Sequence, residues 1–241
     1  MEELFARFDS ASAPVYPAGH VTALPILHDD PAFVAIDKPA WSVVHRTRGA
    51  AGVLVLRDRL SEQLGAEVFP VHRLDCQTSG VLVFAKGASA AQVLSSDLCE
   101  GRWTKRYLAL CRGPIAAEIA VDRPVPEDGV ERHARTRIVP IETFCDRFTL
   151  VAALPETGRR HQIRFHLKQE RHHVVGDTTY GKGPINRWFR AELGLDRMFL
   201  HASRLLVVHP RRAERIEILS PLPPDLEAVL ARLRGIAHAP V

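Results

Sequence analysis

Cysteine is scarce in this sequence of 241 residues, and none of its four cysteines forms a C-x-x-C pair. Cysteines spaced as widely as Cys76, Cys99, Cys111 and Cys145 are typical neither of a disulfide scaffold nor of a zinc finger. Reduced thiols, as found in the cytosol, account for this pattern.

Signals for secretion and membrane insertion are also missing. The chain begins Met1-Glu2-Glu3, which is acidic where a signal peptide is basic. The longest early stretch without Asp, Glu, Lys or Arg, residues 10–28, contains three prolines and is therefore a poor membrane span. We expect a cytoplasmic protein with no membrane partner.

The charge is weak overall but unevenly placed. The formal net charge is +4, while residues 156–215 contain 13 Lys or Arg against 6 Asp or Glu and hold six of the twelve histidines. Concentrated positive charge is typical of a surface that binds phosphate groups. The sequence therefore predicts a polyanionic partner.

Periodicity predicts an α+β fold. Apolar spacing indicates helices at 53–65, 89–99, 159–169 and 225–234, and strands at 81–85, 106–111, 148–154, 205–209 and 215–219. Because helices and strands do not alternate regularly, we expect a mixed, largely antiparallel central sheet with flanking helices and a catalytic cleft. Residues 1–25, rich in Ala and Pro, are predicted to be an N-terminal arm, and residues 26–241 a single domain.

The most informative segment is Val-His-Arg-Leu-Asp-Cys-Gln-Thr-Ser-Gly at 71–80, directly before an apolar strand. A carboxylate on a tight loop held by a rigid strand suits a nucleophile or a base, which makes Asp75 a candidate. An aspartate that only caps a turn is the alternative that spacing alone leaves open.

Two further segments carry candidate residues. In Gly-Arg-Arg-His-Gln-Ile-Arg at 158–164, a helix would place Arg160, Arg164 and Lys168 on one face, with free amides for an anion at its start. A solvated basic face is the alternative. Tyr107, in Lys-Arg-Tyr at 105–107, could stack on a base or simply pack in a strand.

A zinc site built from His161, His166, His172 and His173 is disfavoured because no His-Glu-x-x-His spacing occurs. An aspartyl phosphatase is disfavoured too, because Asp75-Cys-Gln-Thr lacks the second carboxylate of Asp-x-Asp-x-Thr. We expect no metal.

In combination, these motifs resemble the RluA-type pseudouridine synthases. His-Arg-Leu-Asp-x-x-Thr-Ser-Gly, Lys-x-Tyr, Thr-Gly-Arg-x-His-Gln-Ile-Arg-x-His-Leu, Gly-Asp-x-x-Tyr-Gly and Leu-His-Ala follow one another over residues 26–222 as they do in that family. The resemblance implies isomerisation of uridine to pseudouridine in RNA, which requires no cofactor. Members usually have glycine where this chain has Trp41, which leaves the shape of that loop open.

The resemblance also implies roles for individual residues. Asp75 matches the catalytic aspartate, Tyr107 the active-site tyrosine, Arg164 the arginine that pairs with the aspartate, and Ile163 the apolar wall of the uracil pocket. An arginine beside a carboxylate favours its charged form. We further expect His72 and Arg73 to fill the space vacated by a flipped uridine, and Arg160 to contact RNA.

Segments 43–46, 69–72, 183–187 and 194–198 resemble the branch of the family that modifies uridine 65 of tRNA. Because only 25 residues precede Ile26, we expect no S4-type module like that of larger rRNA-modifying members. We expect a monomer that binds tRNA rather than DNA. An rRNA-directed synthase and a non-catalytic RNA-binding protein are the alternatives.

Overall fold

The computed structural model describes residues 23–46, 52–212 and 214–236. The predicted N-terminal arm, 1–25, therefore lies almost wholly outside the described residues. Within the described ranges, no helix combines the length and the apolar character needed to cross a bilayer.

Five helices and fourteen strands occur in the described residues. The helices are α1 (Leu56–Leu64), α2 (Ala88–Cys99), α3 (Gln162–Gln169), α4 (Gly183–Leu193) and α5 (Pro224–Arg234). The strands are β1 (Ile26–Asp29), β2 (Phe33–Lys38), β3 (Ser42–Val43), β4 (Leu54–Val55), β5 (Phe69–Pro70), β6 (Ser79–Ala85), β7 (Thr104–Arg112), β8 (Ile119–Asp122), β9 (Val125–Glu127), β10 (Val130–Arg132), β11 (Arg135–Phe144), β12 (Phe148–Pro155), β13 (Leu200–Val208) and β14 (Arg215–Leu219).

Ten strands form one sheet, with the main order β1-β2-β6-β13-β7-β12-β11-β8, β14 on β13 and β5 on β6. Its strand pairs are antiparallel except for β6 with β13. This confirms the predicted α+β class with a largely antiparallel sheet. The parallel pair lies at the centre of the sheet, directly after the Asp75 loop.

The central strand β6 is buried on both faces, which explains its unbroken apolar sequence. Alternate residues of a strand point to opposite faces. Val81 and Val83 pack in the cluster that contains α2, whereas Leu82 and Phe84 pack in the cluster that contains α1. The segment before β6 is thereby anchored by two separate cores.

Several predicted boundaries shift for local reasons. Helix α1 begins at Leu56 because Leu54–Val55 pairs with Ser42–Val43, and it ends at Gly65, whose φ of 64° is the expected left-handed stop. Helix α4 was not predicted, since its Gly-Pro start looks like a turn, although proline fits the first turn of a helix. Strand β11 was also missed, because most of its residues are partly or fully exposed and it contains a proline beside a bulge.

Candidate active site

Asp75 lies on the segment between β5 and β6, where the Thr78 amide donates to the Asp75 carbonyl at 3.0 Å. Gly80, two residues after Thr78, has a φ of +112°. A Cβ on Gly80 would lie 2.2 Å from the Ala202 carbonyl oxygen of β13. Only glycine allows so close an approach of β6 to β13. The Thr-Ser-Gly sequence thus sets where the Asp75 turn leaves the sheet.

A fully buried lysine at the end of β2 holds the same turn. Lys38 Nζ donates to the carbonyl oxygens of Pro39 at 3.0 Å, Cys76 at 3.2 Å and Thr78 at 2.8 Å. Burial lowers the pKa of Lys38 to about 7, although the nearby Cys76 and Asp75 act in the opposite direction. All three donors of this ammonium are used in shaping the loop.

Trp41 occupies the position where the pseudouridine synthases that the sequence resembles usually have glycine. Its φ of 62° lies in the left-handed region, and its amide donates to the Cys76 carbonyl at 2.8 Å. The loop therefore adopts a backbone that glycine would favour, at a cost on the order of 1–3 kcal/mol for a non-glycine residue.

Helix α3 delivers Arg164 to two carboxylates. Its Nη1 donates to Asp75 Oδ2 at 2.8 Å, while Nε and Nη2 donate to Asp177 Oδ2 and Oδ1 at 2.7 and 2.8 Å. The Asp177 side chain is fully buried and that of Asp75 is 24% exposed. Asp177 therefore orients the guanidinium, which leaves one arm for the more accessible Asp75.

The pKa values of Arg164 and Asp177 both shift toward the charged forms. Burial opposes the charge of Arg164, but hydrogen bonds and the charges of Asp177 and Asp75 outweigh it and raise the pKa of Arg164. Burial likewise opposes the charge of Asp177, and its hydrogen bonds with Arg164 nevertheless lower the pKa of Asp177. The geometry keeps a charged arginine beside Asp75.

The other oxygen of Asp75 faces a histidine. His161 Nε2 lies 3.7 Å from Asp75 Oδ1, and its Nδ1 is 3.3 Å from the Tyr180 hydroxyl. The φ of His161 is 57°, a left-handed conformation that is uncommon for residues other than glycine and that clusters at functional sites. Burial is the main cause that lowers the pKa of His161, while Asp75 raises it.

A cleft with an empty volume of about 530 Å³ opens in front of these groups. It is lined by the polar Asp75, Arg164 and His161 and by Leu74, Tyr107, Ile163 and Leu200, which offer apolar surface. Burial, followed by the nearby charge of Asp75, raises the pKa of Tyr107 above its ordinary value. The cleft joins a carboxylate to a surface on which a flat ring can pack.

Most of the residues singled out from the sequence meet at this cleft. Asp75, Tyr107, Ile163, Arg164 and Arg73 line it, with Arg73 exposed.

Two of the expected substrate-binding residues do not line the cleft. The His72 ring packs edge-on against Trp103 at 5.7 Å and accepts a hydrogen bond from the Val83 amide at 3.1 Å, and burial lowers the pKa of His72 to about 3. The Arg160 side chain is exposed, directly before His161 in the chain. The roles expected for these two residues stay predictions.

The expected anion site at the start of the basic helix is wrong. Helix α3 begins at Gln162, and the amides of Arg159 and Arg160 already donate to Gln162 Oε1 at 3.0 Å and Glu127 Oε1 at 3.3 Å. Nor do Arg160, Arg164 and Lys168 form one solvated face, because Arg160 precedes the helix and Arg164 is buried.

Sequence reasoning assigned no role to four residues that the structure places at the site: Lys105, His161, Asp177 and Tyr180. Asp177 and Tyr180 belong to the Gly-Asp-x-x-Tyr-Gly motif, which by itself indicated only a turn. Lys105 precedes Tyr107 by two residues in a strand, and this spacing predicts a shared face. In the described ranges, no three His, Cys, Asp or Glu side chains are grouped as a metal site requires.

Comparisons with known proteins identify the family of this chain. The profile of the family described as RNA pseudouridylate synthase matches residues 32–169. The tRNA pseudouridine synthase C of Pasteurella multocida is 34% identical, with 81% of this chain and 90% of that protein covered. A Mycobacterium bovis protein named an uncharacterized RNA pseudouridine synthase is 36% identical, with 96% of this chain and 80% of that protein covered.

A solved structure shows the same fold. The human RNA pseudouridylate synthase domain containing 4 superposes with a TM-score of 0.73 at 26% identity, over 87% of this chain and 93% of that one. The profile match spans more than half of the chain, and the sequence relatives exceed 30% identity over most of its length. The chain belongs to the RluA-type RNA pseudouridine synthases, a family of isomerases.

Proposed function

We propose that this enzyme converts uridine 65 of tRNA to pseudouridine, with Asp75 as the catalytic carboxylate. The Pasteurella relative, whose name specifies tRNA, supports the substrate class. The segments 43–46, 69–72, 183–187 and 194–198 support the position. The single observation that carries the role of Asp75 is its 2.8 Å contact with Arg164 at the wall of the cleft.

The reaction breaks the N1–C1′ bond of uridine, turns the uracil and joins C5 to C1′. No group enters or leaves, so the protein must supply a reactive carboxylate, charge stabilisation and a pocket that retains the free ring. Arg164 occupies Oδ2 of Asp75, while His161 Nε2, at 3.7 Å, is beyond hydrogen-bond distance of Oδ1. Oδ1 is therefore the oxygen we assign to the substrate, whether it attacks the ribose, attacks the ring or removes a ribose proton.

The walls of the cleft suit the detached uracil. Tyr107 and Ile163 offer apolar surface beside Asp75. Stacking of a base on an aromatic ring contributes about 1–3 kcal/mol. The raised pKa of Tyr107 disfavours its phenolate further, so we assign the hydroxyl proton donation and packing rather than the role of a phenolate base.

A uridine inside a stem must leave the stack before it can reach Asp75. Flipping costs on the order of a few kcal/mol, which contacts with the protein must offset. Arg73 is exposed at the cleft and lies two residues before Asp75, which makes it the residue we assign to the vacated space. The basic region 156–215 would contact the flanking phosphates. We further propose that the enzyme acts in the cytoplasm as a monomer.

Transcripts that carry tritium at uridine C5 test this proposal. Isomerisation releases the label to water, so we expect release from the whole tRNA and none from a transcript in which uridine 65 is cytidine. Release only from large-subunit rRNA fragments would replace tRNA by rRNA as the substrate. Binding of RNA without release from any transcript would support a non-catalytic RNA-binding protein.

Asp75→Asn tests the catalytic carboxylate. The amide keeps the size of the side chain but cannot act as a charged nucleophile or base. We expect tRNA binding within about threefold of the wild type, because each unaltered phosphate contact remains, together with complete loss of tritium release. Turnover by this variant at the wild-type rate would refute the assignment.

A further inference from the structure

Two buried lysines near the cleft have very different surroundings. Lys38 Nζ donates to three carbonyl oxygens. Lys105, which is 8% exposed, donates only to the Thr157 carbonyl at 2.8 Å. Among the described residues, its Nζ has no second hydrogen-bond acceptor and no carboxylate at ion-pair distance. An ammonium has three donors, and a buried charge without partners is costly.

The position of Lys105 shows which space its other two N–H donors face. Lys105 and Tyr107 are two residues apart on β7, so their side chains share a face, and both line the cleft that contains Asp75. Gly158 also lines the cleft and has no side chain, and a Cβ there would lie 3.8 Å from Nζ. The ammonium thus borders the space in which a substrate ring would lie.

We propose that Lys105 is a catalytic residue that donates hydrogen bonds to the uracil while the ring is detached from the ribose. The inference rests on the proposed function. When the N1–C1′ bond breaks, its electron pair leaves with the ring, and the carbonyl oxygens O2 and O4 share the negative charge. A preorganised donor in a partly dry site stabilises such charge strongly.

The remaining steps leave Lys105 unchanged. After the ring turns, an electron pair of the ring forms the C5–C1′ bond, C5 loses its proton and N1 gains one. The product is an isomer of the substrate, and the ammonium keeps its three protons throughout. A phosphate is a less suitable partner, because Lys105 is nearly buried and lies on the same face of β7 as Tyr107.

The charge of Lys105 provides a specific signature. Burial lowers the pKa of Lys105 to about 8, so the ammonium is present below this pH and lost above it. The rate of the chemical step should therefore fall as pH rises through about 8. Arginine stays charged over this range, so Lys105→Arg should remove that fall. The other ionisable groups at or near this wall are His72, Arg73, Asp75, Tyr107, Arg159, His161 and Arg164.

Single-turnover tritium release from the labelled tRNA, measured between pH 6 and 9.5 beside the dissociation constant, tests the proposal. We expect Lys105→Gln to lower the rate constant about 100-fold with binding nearly unchanged, and Lys105→Arg to retain turnover without the alkaline fall. Arg106→Gln is the matched control: it removes one charge from the opposite face of β7 and should keep the wild-type profile.

Three outcomes would overturn the role of Lys105. Weaker binding with an intact rate constant, and a salt dependence reduced by about one phosphate contact, would make Lys105 a phosphate ligand. An unchanged alkaline fall in Lys105→Arg would assign that titration to another group. If the wild-type enzyme released no label from any transcript, the proposed function itself would fail, and the role of Lys105 with it. If Lys105→Gln did not fold, Lys105→Arg alone would decide through its pH profile.

Discussion

Arg164 determines the geometry of the site at the scale of single residues, because it contacts two carboxylates at once. Asp177 engages two guanidinium nitrogens and Asp75 a third, all within 2.8 Å. A lysine offers one compact ammonium in place of this planar fork, so it cannot keep both carboxylates at these positions.

Arg164→Lys should therefore preserve the charge and still impair catalysis. A displacement of a reacting group by about 1 Å can lower a rate about 100-fold, and we expect a loss of this order in kcat. Binding of tRNA should change little, since Arg164 is buried. Single-turnover kinetics and filter binding measure the two effects separately, and wild-type kcat would refute the positioning role.

At the scale of secondary structure, the parallel contact between β6 and β13 positions the catalytic turn. Gly80→Ala would push a Cβ to within 2.2 Å of a backbone oxygen, where no flexible side chain can move aside. We expect the free energy of unfolding to fall by about 3 kcal/mol or more. Urea denaturation measures it.

Gly129→Ala is the matched control for Gly80→Ala. Gly129 also has a positive φ, of +79°, but nothing lies within 4 Å of the added Cβ. Gly129→Ala should lower the free energy of unfolding by only about 1 kcal/mol, the cost of the backbone conformation alone. Equal losses in the two variants would show that the close approach of β6 to β13 is unimportant.

The link between β2 and the Asp75 turn predicts a pH effect on stability. The pKa of Lys38 is about 7 in the folded protein and near the ordinary value of 10.5 when unfolded. Between these values the unfolded chain binds the proton more tightly, so the contribution of Lys38 to the free energy of unfolding increases with pH. We expect the wild type to gain stability relative to Lys38→Met from pH 7 to pH 10. A constant difference across this range would contradict the buried, weakly basic state of Lys38.

At the scale of the whole molecule, the excess of cations in 156–215 is partly neutralised within the fold. Five of the basic residues there have a carboxylate partner in the described structure: Arg164, Arg190, Arg197, Arg204 and Arg212. The other eight have none among the described residues: Arg159, Arg160, Lys168, Arg171, Lys182, Arg187, Arg211 and Arg215. The unpaired group is the better candidate for contacts with RNA phosphates.

Arg160→Gln and Arg204→Gln distinguish these two groups. Removing the exposed, unpaired Arg160 should weaken tRNA binding and reduce the slope of log K against log salt by about 0.7–0.9, the value for one phosphate contact. Arg204 is paired with Glu217, so Arg204→Gln should leave the slope unchanged. Titrations at several salt concentrations provide the measurement, and identical slopes would place the RNA elsewhere.

Sequence patterns predicted the structure correctly where it depends only on neighbouring residues of one segment. The Asp75 turn, the apolar strand after it and the glycine stop of α1 all follow from neighbouring residues, because turn chemistry and periodicity are short-range properties. Strand β11 and helix α4 were missed where exposure or a Gly-Pro start concealed the pattern. The start of α3 was placed too early because the amides of Arg159 and Arg160 donate to side chains, one of which, Glu127, comes from β9.

The sequence by itself determined the family, the α+β class and the candidates Asp75, Tyr107 and Arg164. Only the tertiary structure decided that Arg164 is shared with Asp177 and that His161 faces Oδ1 of Asp75. It also decided that Lys105 has one hydrogen-bond acceptor among the described residues. These contacts join residues from separate elements, and Arg164 and Asp75 are 89 positions apart. No local pattern encodes such distances, because packing of the whole sheet sets them.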